Sequence, residues 1–125
     1  MPKQPILIVE DDPQLNQIFT LTLRADFETT SIADGSQALA YLQTNTPDAI
    51  LLDLNLPGAS GEKILGYIRS EKRLACARII LATADAAKAE TCAEYADLVL
   101  LKPISPIQLR DLVLRFSRKT DELQK

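Results

Sequence analysis

The alternation of short apolar runs with helical patterns is the feature that most constrains how this chain can fold. Apolar or β-prone runs of four or five residues lie at 6–9, 28–32, 49–53, 78–82 and 98–101. A segment with helical spacing of its apolar residues follows each run. Strands that alternate with helices pair in parallel through right-handed crossovers, with helices on both faces of the sheet. The pattern therefore predicts an α/β fold with a doubly wound, five-stranded parallel sheet.

Local signals predict where individual elements begin and which of their faces are buried. Asp12 and Ser105 each precede a proline, which is typical of an N-cap followed by the first helical position. The run at 28–32 is more polar than the others, so we expect it at an edge of the sheet. On the first helix, the spacing predicts one buried stripe, formed by Leu15, Ile18, Phe19, Thr22 and Leu23.

Composition narrows the classes of function. With 125 residues, we expect one domain over 1–125, with its core at 4–118 and a frayed tail or linker at 119–125. A net charge of −3 argues against direct nucleic-acid binding. The chain has no histidine, which excludes Ser-His-Asp catalysis and His-ligated metal sites. Its N-terminal segment fits neither a signal peptide nor a membrane span, so we expect a cytoplasmic domain without membrane contact.

Polar side chains follow four of the five apolar runs. Ligands of doubly wound sheets bind beyond the carboxyl ends of the strands, so we predict that these residues form one site. Taken singly, each has a structural explanation, such as a helix cap or a solvated acid. Four such strand ends on one sheet edge favour a functional site. The residues are Glu10 and Asp11 after the first run, Asp53 at the end of the third, Thr83 after the fourth and Lys102 after the fifth.

The residue types indicate the chemistry of this site. Crowded carboxylates repel each other, by about 4 kcal/mol for a pair ~4 Å apart at an effective dielectric constant of about 20. A hard divalent cation with oxygen ligands and retained waters relieves this repulsion, which indicates Mg²⁺. Carboxylate, Mg²⁺, lysine and hydroxyl are also the groups that phosphoryl transfer requires. Asp53 is the best candidate nucleophile because it ends the central strand, between the acid pair and Lys102.

Five motifs in a fixed order resemble a known family, the receiver (phosphoacceptor) domain of two-component response regulators. The resemblance extends over residues 4–118 and implies a flavodoxin-like (βα)5 fold with strand order 2-1-3-4-5. The motifs are Ile8-Val9-Glu10-Asp11-Asp12, Leu51-Leu52-Asp53-Leu54-Asn55-Leu56-Pro57, Gly61, Leu81-Ala82-Thr83-Ala84-Asp85 and Leu100-Leu101-Lys102-Pro103.

The resemblance implies a part for each residue in phosphorylation. Asp53 would accept the phosphoryl group, Thr83 would move toward that group as the switch hydroxyl, and Lys102 would pair with it. The peptide bond between Lys102 and Pro103 would be cis.

The resemblance also implies the ligands of the metal ion. Asp11 and Asp53 would bind Mg²⁺ directly, and Asn55 would bind it through its backbone carbonyl. Glu10 would act mainly through a bound water.

Two positions depart from the pattern of the family. The family usually has an aromatic residue three positions before the lysine, where this chain has Val99. The family usually ends its fourth helix with Gly-Ala, where this chain has Tyr95-Ala96. Because a non-glycine residue in the left-handed region costs about 1 kcal/mol or more, we expect this helix to end differently.

We therefore expect a phosphoacceptor of two-component signal transduction. A sensor histidine kinase or a phosphotransfer protein would phosphorylate Asp53 in a Mg²⁺-dependent reaction, and the domain would change conformation. It would be a switch with weak self-catalysed phosphorylation and dephosphorylation, not an enzyme. One alternative is a Mg²⁺-dependent phosphatase with an aspartyl nucleophile, although such enzymes carry an acid where this chain has Asn55. The other is a pseudo-receiver that only binds partners, although such a domain would lack Asp53, Asp11 or Lys102.

Further partners follow only from the resemblance. They are a second copy of the chain, in a homodimer formed on phosphorylation, and a C-terminal effector from which this sequence would have been separated. A stand-alone receiver is the alternative to such a fragment.

Overall fold

Every strand of the central sheet is parallel to its neighbours, and helices cover both faces. This computed structural model describes residues 3–124, with side chains through residue 116. The strand order is β2-β1-β3-β4-β5, as the resemblance implied, and the polar strand β2 lies at one edge. The strands are β1 (Gln4–Val9), β2 (Phe27–Ile32), β3 (Ala49–Leu52), β4 (Arg78–Thr83) and β5 (Leu98–Leu101).

A helix follows each strand, and the predicted N-caps are confirmed. The Asp12 carboxylate accepts hydrogen bonds from the N–H groups of Gln14 and Leu15. The Ser105 hydroxyl accepts one from the N–H of Gln108. The helices are α1 (Pro13–Leu23), α2 (Gly35–Thr44), α3 (Gly61–Ser70), α4 (Ala86–Cys92) and α5 (Pro106–Gln124), and 3-10 turns follow α3 at Lys72–Leu74 and α4 at Ala93–Tyr95.

Helix α5 continues to Gln124, beyond residue 118, where we expected the core to end. After Pro106 the chain has no proline or glycine to stop a helix. The interpretation of 119–125 as a tail or linker stays a prediction, and Lys125 lies outside the described residues. Among the described residues, no helix is long and apolar enough to span a membrane.

Two apolar layers enclose the sheet, because successive residues of a strand point to opposite faces. On one face, Leu7 and Val9 of β1 pack in a cluster with residues of α2 and α3 and with Cys92 of α4. On the other face, Ile6 and Ile8 pack in a cluster with residues of α1 and α5. The three central strands, β1, β3 and β4, are therefore buried on both sides, as continuous apolar runs predict, whereas the edge strands β2 and β5 are partly exposed.

The buried stripe of α1 is narrower than predicted. Phe19 and Leu23 are fully buried, but 40% of the surface of Ile18 is exposed. Ile18 precedes Phe19 by one residue, which places it about 100° further around the helix, at the margin of the stripe.

Helix α4 ends without a glycine because a side chain of α3 holds its last turn. Arg69 Nε donates to the carbonyl of Tyr95 at 2.7 Å, and Arg69 Nη2 lies 3.2 Å from the Asp97 carboxylate. Asp97 also accepts from the N–H of Ile79 at 2.7 Å. The last turn is a 3-10 turn, and no non-glycine residue in the described part of the chain has a positive φ. The expectation that this helix ends differently is confirmed.

Two glycines let the loops near the carboxyl ends of the strands pack closely. A Cβ at Gly35 would lie 1.7 Å from the carbonyl oxygen of Ala59, and one at Gly61 would lie 2.4 Å from that of Asp53. Gly61 therefore brings the first turn of α3 directly against the backbone of Asp53. Gly66, in the middle of α3, has no such contact, since no atom outside its own helix backbone lies within 4 Å of its Cβ position.

We predict opposite effects of Gly61→Ala and Gly66→Ala on stability. Gly61→Ala should lower the free energy of unfolding by about 1–3 kcal/mol, because the new methyl group forces backbone apart. Gly66→Ala should raise it by about 0.5–1 kcal/mol, because alanine favours the helix and meets open space. Urea unfolding followed by circular dichroism measures both. Equal effects of the two substitutions would contradict the packing described here.

Candidate functional site

The sheet fixes the backbone of three residues at its carboxyl edge. The N–H groups of Glu10, Asp53 and Lys102 donate to carbonyls of neighbouring strands at 3.1, 3.0 and 2.9 Å, respectively. Each of the three is the first residue after its strand. Their side chains therefore extend beyond the sheet while their backbones remain attached to it.

Lys102 lies between two buried carboxylates. Its Nζ is 2.9 Å from Asp53 Oδ2 and also contacts Glu10 Oε1. Glu10 is 2% exposed and Asp53 is 6% exposed. One cation is thus shared by two like charges that are largely removed from water, an arrangement that is costly without full compensation.

Backbone N–H groups provide further compensation to the same carboxylates. Asp53 Oδ1 accepts a hydrogen bond from the N–H of Asn55 at 3.2 Å. Glu10 Oε2 accepts one from the N–H of Asp12, also at 3.2 Å. The two oxygens of Asp53 therefore have different partners, one a cation and the other a backbone dipole.

The electrostatics of the site shift the pKa values of Glu10 and Lys102. Burial raises the pKa of Glu10 from 4.5 to about 7, and the charge of Asp53 adds to the rise, against the opposing hydrogen bonds from Lys102 and Asp12. Burial alone would lower the pKa of Lys102, but its hydrogen bonds to Glu10 and Asp53 outweigh burial and raise it. In the metal-free protein, Lys102 is therefore firmly protonated and Glu10 readily takes up a proton.

Three acids form a cluster that could hold a metal ion. Glu10, Asp11 and Asp53 each offer a carboxylate oxygen, and these oxygens all lie within 4.8 Å of one another. Asp11 is exposed, unlike the other two, and a cleft of about 440 Å³ opens beside Glu10 and Asp11. An all-oxygen donor set that solvent can reach fits a hard cation that retains water ligands, such as Mg²⁺.

The Thr83 hydroxyl connects the end of β4 to the start of α4. Thr83 is fully buried, and its Oγ1 accepts a hydrogen bond from the N–H of Asp85 at 3.1 Å. Asp85 in turn caps α4, since its carboxylate accepts from the N–H of Lys88 at 3.0 Å. The N-cap residue of α4 is therefore hydrogen-bonded to the side chain of Thr83.

Sequence reasoning missed Lys88. Its Nζ lies 3.1 Å from Asn55 Oδ1 and 3.6 Å from Glu62 Oε1, so it joins α4 to the loop after Asp53. The contact with Asn55 links residues that are 33 positions apart, and no local pattern in the sequence indicates it.

The structure thus places the predicted site residues at one edge of the sheet. Lys102 contacts Glu10 and Asp53, and Asp11 joins these two acids in the cluster. The bond between Lys102 and Pro103 is cis, as the resemblance implied. The remaining predicted residues lie beside this group: the Asn55 N–H donates to Asp53, and the Thr83 carbonyl accepts from the N–H of Lys102.

Val99, the residue in place of the usual aromatic side chain, packs in the core. It is half-buried against the apolar cluster on the side of the sheet that α2 and α3 cover. No large side chain therefore stands at this position of β5.

Comparisons with known proteins agree with this geometry. A family model for the response regulator receiver domain matches residues 6–114. The DNA-binding response regulator MtrA of Mycolicibacterium smegmatis is 35% identical over 122 residues, which span 96% of this chain and 54% of that protein. This chain therefore spans about half the length of the curated relatives it matches.

Solved structures share the fold over most of the chain. The chemotaxis response regulator CheY4 of Vibrio cholerae superposes with a TM-score of 0.83 at 27% identity, covering 90% of this chain and 98% of that one. The receiver domain of sensor histidine kinase PA1611 from Pseudomonas aeruginosa superposes with a TM-score of 0.81 at 31% identity, covering 90% and 96%. That structure has a magnesium ion coordinated in its active site cleft. Sequence, fold and the arrangement of acids and lysine at the sheet edge agree, and the chain belongs to the receiver domains of two-component response regulators.

Proposed function

We propose that Asp53 is the residue of this receiver domain that accepts a phosphoryl group. The observation that carries the proposal is the contact of Asp53 with Lys102 at 2.9 Å, inside a cluster of three acids. Receiver domains are signalling switches of two-component systems. A buried carboxylate with a cation on one oxygen and a backbone N–H on the other is well placed to become such a switch.

The transfer is a displacement at phosphorus. An oxygen of the Asp53 carboxylate attacks phosphorus, the bond from phosphorus to the donor breaks, and its electron pair leaves with the donor. The product is an acyl phosphate, which water hydrolyses back to the carboxylate and inorganic phosphate. Lys102, already 2.9 Å from Asp53, neutralises charge on the phosphoryl oxygens.

Mg²⁺ fits the acid cluster, and we assign its ligands from the same residues. Asp11 and Asp53 would bind it directly, Asn55 through its backbone carbonyl and Glu10 through water. Bound there, the ion supplies positive charge for the phosphoryl group. Supporting this assignment are the carboxylate oxygens within 4.8 Å of one another and the magnesium ion in the structurally similar receiver domain from Pseudomonas aeruginosa.

The output of the switch begins at Thr83. Its hydroxyl accepts from the N–H of Asp85 at the start of α4, so a move of Thr83 toward the phosphoryl group would shift this turn. Weak self-catalysed phosphorylation and dephosphorylation belong to the same proposal, because Asp53, Lys102 and Thr83 supply the carboxylate, the cation and the hydroxyl, and the acid cluster would hold Mg²⁺. The nucleophile is regenerated only slowly, as a switch requires.

The geometry is less favourable to the two alternatives. A phosphatase with an aspartyl nucleophile would need an acid at position 55, whereas the Asn55 side chain is a neutral amide that is hydrogen-bonded to Lys88. A pseudo-receiver would lack one of Asp53, Asp11 and Lys102, and all three are present in one cluster with Glu10.

The wider role of the chain is also a proposal. We infer one receiver domain over 1–125, in the cytoplasm, with a sensor histidine kinase or a phosphotransfer protein as the phosphodonor. A homodimer formed on phosphorylation and a C-terminal effector are the expected means of output. The effector is supported by the curated relatives, which are DNA-binding regulators about twice the length of this chain.

Labelling by acetyl phosphate tests the nucleophile. The protein should gain one base-labile and hydroxylamine-labile phosphoryl group per chain, detected by mass spectrometry. Asp53→Asn should lose it completely and stay folded, because asparagine has nearly the same shape. Asp12→Asn is the matched control, since Asp12 caps α1 and asparagine caps as well as aspartate. Label that persists in Asp53→Asn would move the nucleophile to another acid of the cluster.

Magnesium should stabilise the fold. At ten times its dissociation constant, a ligand that binds only the folded state adds about 1.4 kcal/mol to the free energy of unfolding. Asp11→Asn should abolish this rise, because it removes a direct ligand, whereas Asp12→Asn should keep it. A melting temperature that stays constant through a Mg²⁺ titration of the unsubstituted protein would refute the metal assignment.

The raised pKa of Glu10 should make the metal-free protein less stable as the pH rises. Between pH 4.5 and about 7, the folded protein retains a proton at Glu10 that the unfolded chain has lost. The contribution of this carboxyl to stability therefore falls as the pH increases through that window. Urea unfolding in EDTA at several pH values, compared with Glu10→Gln, measures it. Parallel stability curves for the two proteins would contradict the shift.

A further inference from the structure

We propose that Lys88 couples the phosphorylation of Asp53 to the position of α4. When a phosphoryl group is present, Lys88 attaches that helix more firmly to the loop after Asp53. This inference rests on the proposed function of Asp53. Lys88 is a positioning residue in this proposal, because it acts through Asn55 and α4 rather than by contact with the reacting atoms.

The contacts of Lys88 reach from α4 to the residue beside the phosphoacceptor. Its Nζ is 3.1 Å from Asn55 Oδ1, and the N–H of Asn55 is 3.2 Å from Asp53 Oδ1. A single residue therefore separates the ammonium group from the Asp53 carboxylate. A second contact, 3.6 Å from Nζ to Glu62 Oε1, keeps the ammonium on the same side of α4.

Phosphorylation changes the charge that this ammonium group faces. Without it, the partners of Lys88 are a neutral amide and Glu62, whose side chain is 46% exposed and well solvated. When the Asp53 carboxylate, which carries a charge of −1, becomes an acyl phosphate with a charge of roughly −1.5 to −2, about one-half to one negative charge is added next to Asn55. The attraction draws the ammonium group toward Asn55 and holds the first turns of α4 in place. Because the Lys88 side chain is 41% exposed, we expect an effect of about two- to fivefold, the range of partly screened ion pairs.

Helix α4 is well suited to respond. It has seven residues and buries only Ala89 and Cys92, so apolar packing contributes little to its position. Its first turn is attached through the Asp85 N–H to Thr83 and through the Lys88 side chain to Asn55. With the small Val99 in β5, we assign part of the transmission to this second, charged attachment, which acts beside the movement of Thr83.

Thermodynamic coupling between α4 and Asp53 acts equally in both directions. If occupancy of Asp53 strengthens the attachment of α4 through Lys88, then Lys88 must strengthen binding of the phosphoryl analogue by the same factor. The two effects are measured independently, one in α4 and the other at Asp53.

The experiment uses beryllofluoride with Mg²⁺ as the probe. Calorimetry measures its dissociation constant, and amide hydrogen exchange measures protection across 84–97 with and without it. In the unsubstituted protein, we expect binding and a rise in protection. Lys88→Met should weaken binding about two- to fivefold and reduce the rise in protection at 86–92 by a similar factor. A merely structural role would change protection equally in both states and leave the rise intact.

Two further variants separate this link from a general effect of charge. Lys63→Met removes a cation from the exposed first turn of α3 and should change neither quantity. Lys88→Arg retains a long cation and should restore both. A full rise in protection in Lys88→Met, or equal losses in Lys63→Met, would overturn the proposal. Failure of the unsubstituted protein to bind beryllofluoride would instead count against the proposed function of Asp53.

Discussion

The shared contact of Lys102 with Glu10 and Asp53 is the interaction on which the site depends. Two carboxylates this buried would repel strongly without a cation between them, and Lys102 supplies it from the end of a third strand. The raised pKa of Glu10 shows that the compensation is incomplete in the metal-free protein. Three acids of the cluster, Glu10, Asp11 and Asp53, share the single ammonium group of Lys102, which accounts for the fit of the cluster to a divalent cation.

The part of the site that could be predicted from sequence is the part that the sheet determines. Glu10, Asp53 and Lys102 each come directly after a strand. The backbone hydrogen bonds between parallel strands bring the carboxyl ends of those strands together. The approximate positions of the strands and the N-caps at Asp12 and Ser105 depend on local patterns, so they could be predicted as well, whereas the strand order followed only from the resemblance to the family. The acid cluster could be predicted because two of its acids lie at the end of β1 and the third lies at the end of β3, the strand paired with β1.

The parts that could not be predicted depend on how helices lie against one another. Arg69 holds the last turn of α4 from α3, and Lys88 reaches from α4 to Asn55, over 26 and 33 positions of sequence. These long side chains reach across the space between two helices. The width of that space depends on how the helices pack, and the spacing of apolar residues in the sequence does not indicate it. The exposure of Ile18 also depends on helix packing. The rotation of α1 about its own axis, relative to the elements packed against it, determines whether a residue at the margin of its apolar stripe is covered.

These long-range contacts have a common consequence for α4. Several apolar residues hold each of the other helices in one of the two layers, within the part of the chain described with side chains. Helix α4 contributes only Cys92, to the cluster on the side of α2 and α3. Its two ends are held instead by polar contacts, Arg69 to the Tyr95 carbonyl at one end, and Thr83 and Lys88 at the other. Polar contacts of this kind each contribute little and depend on nearby charge, whereas apolar burial does not. A helix attached in this way is therefore the element of the fold whose position is most sensitive to a change of charge at Asp53.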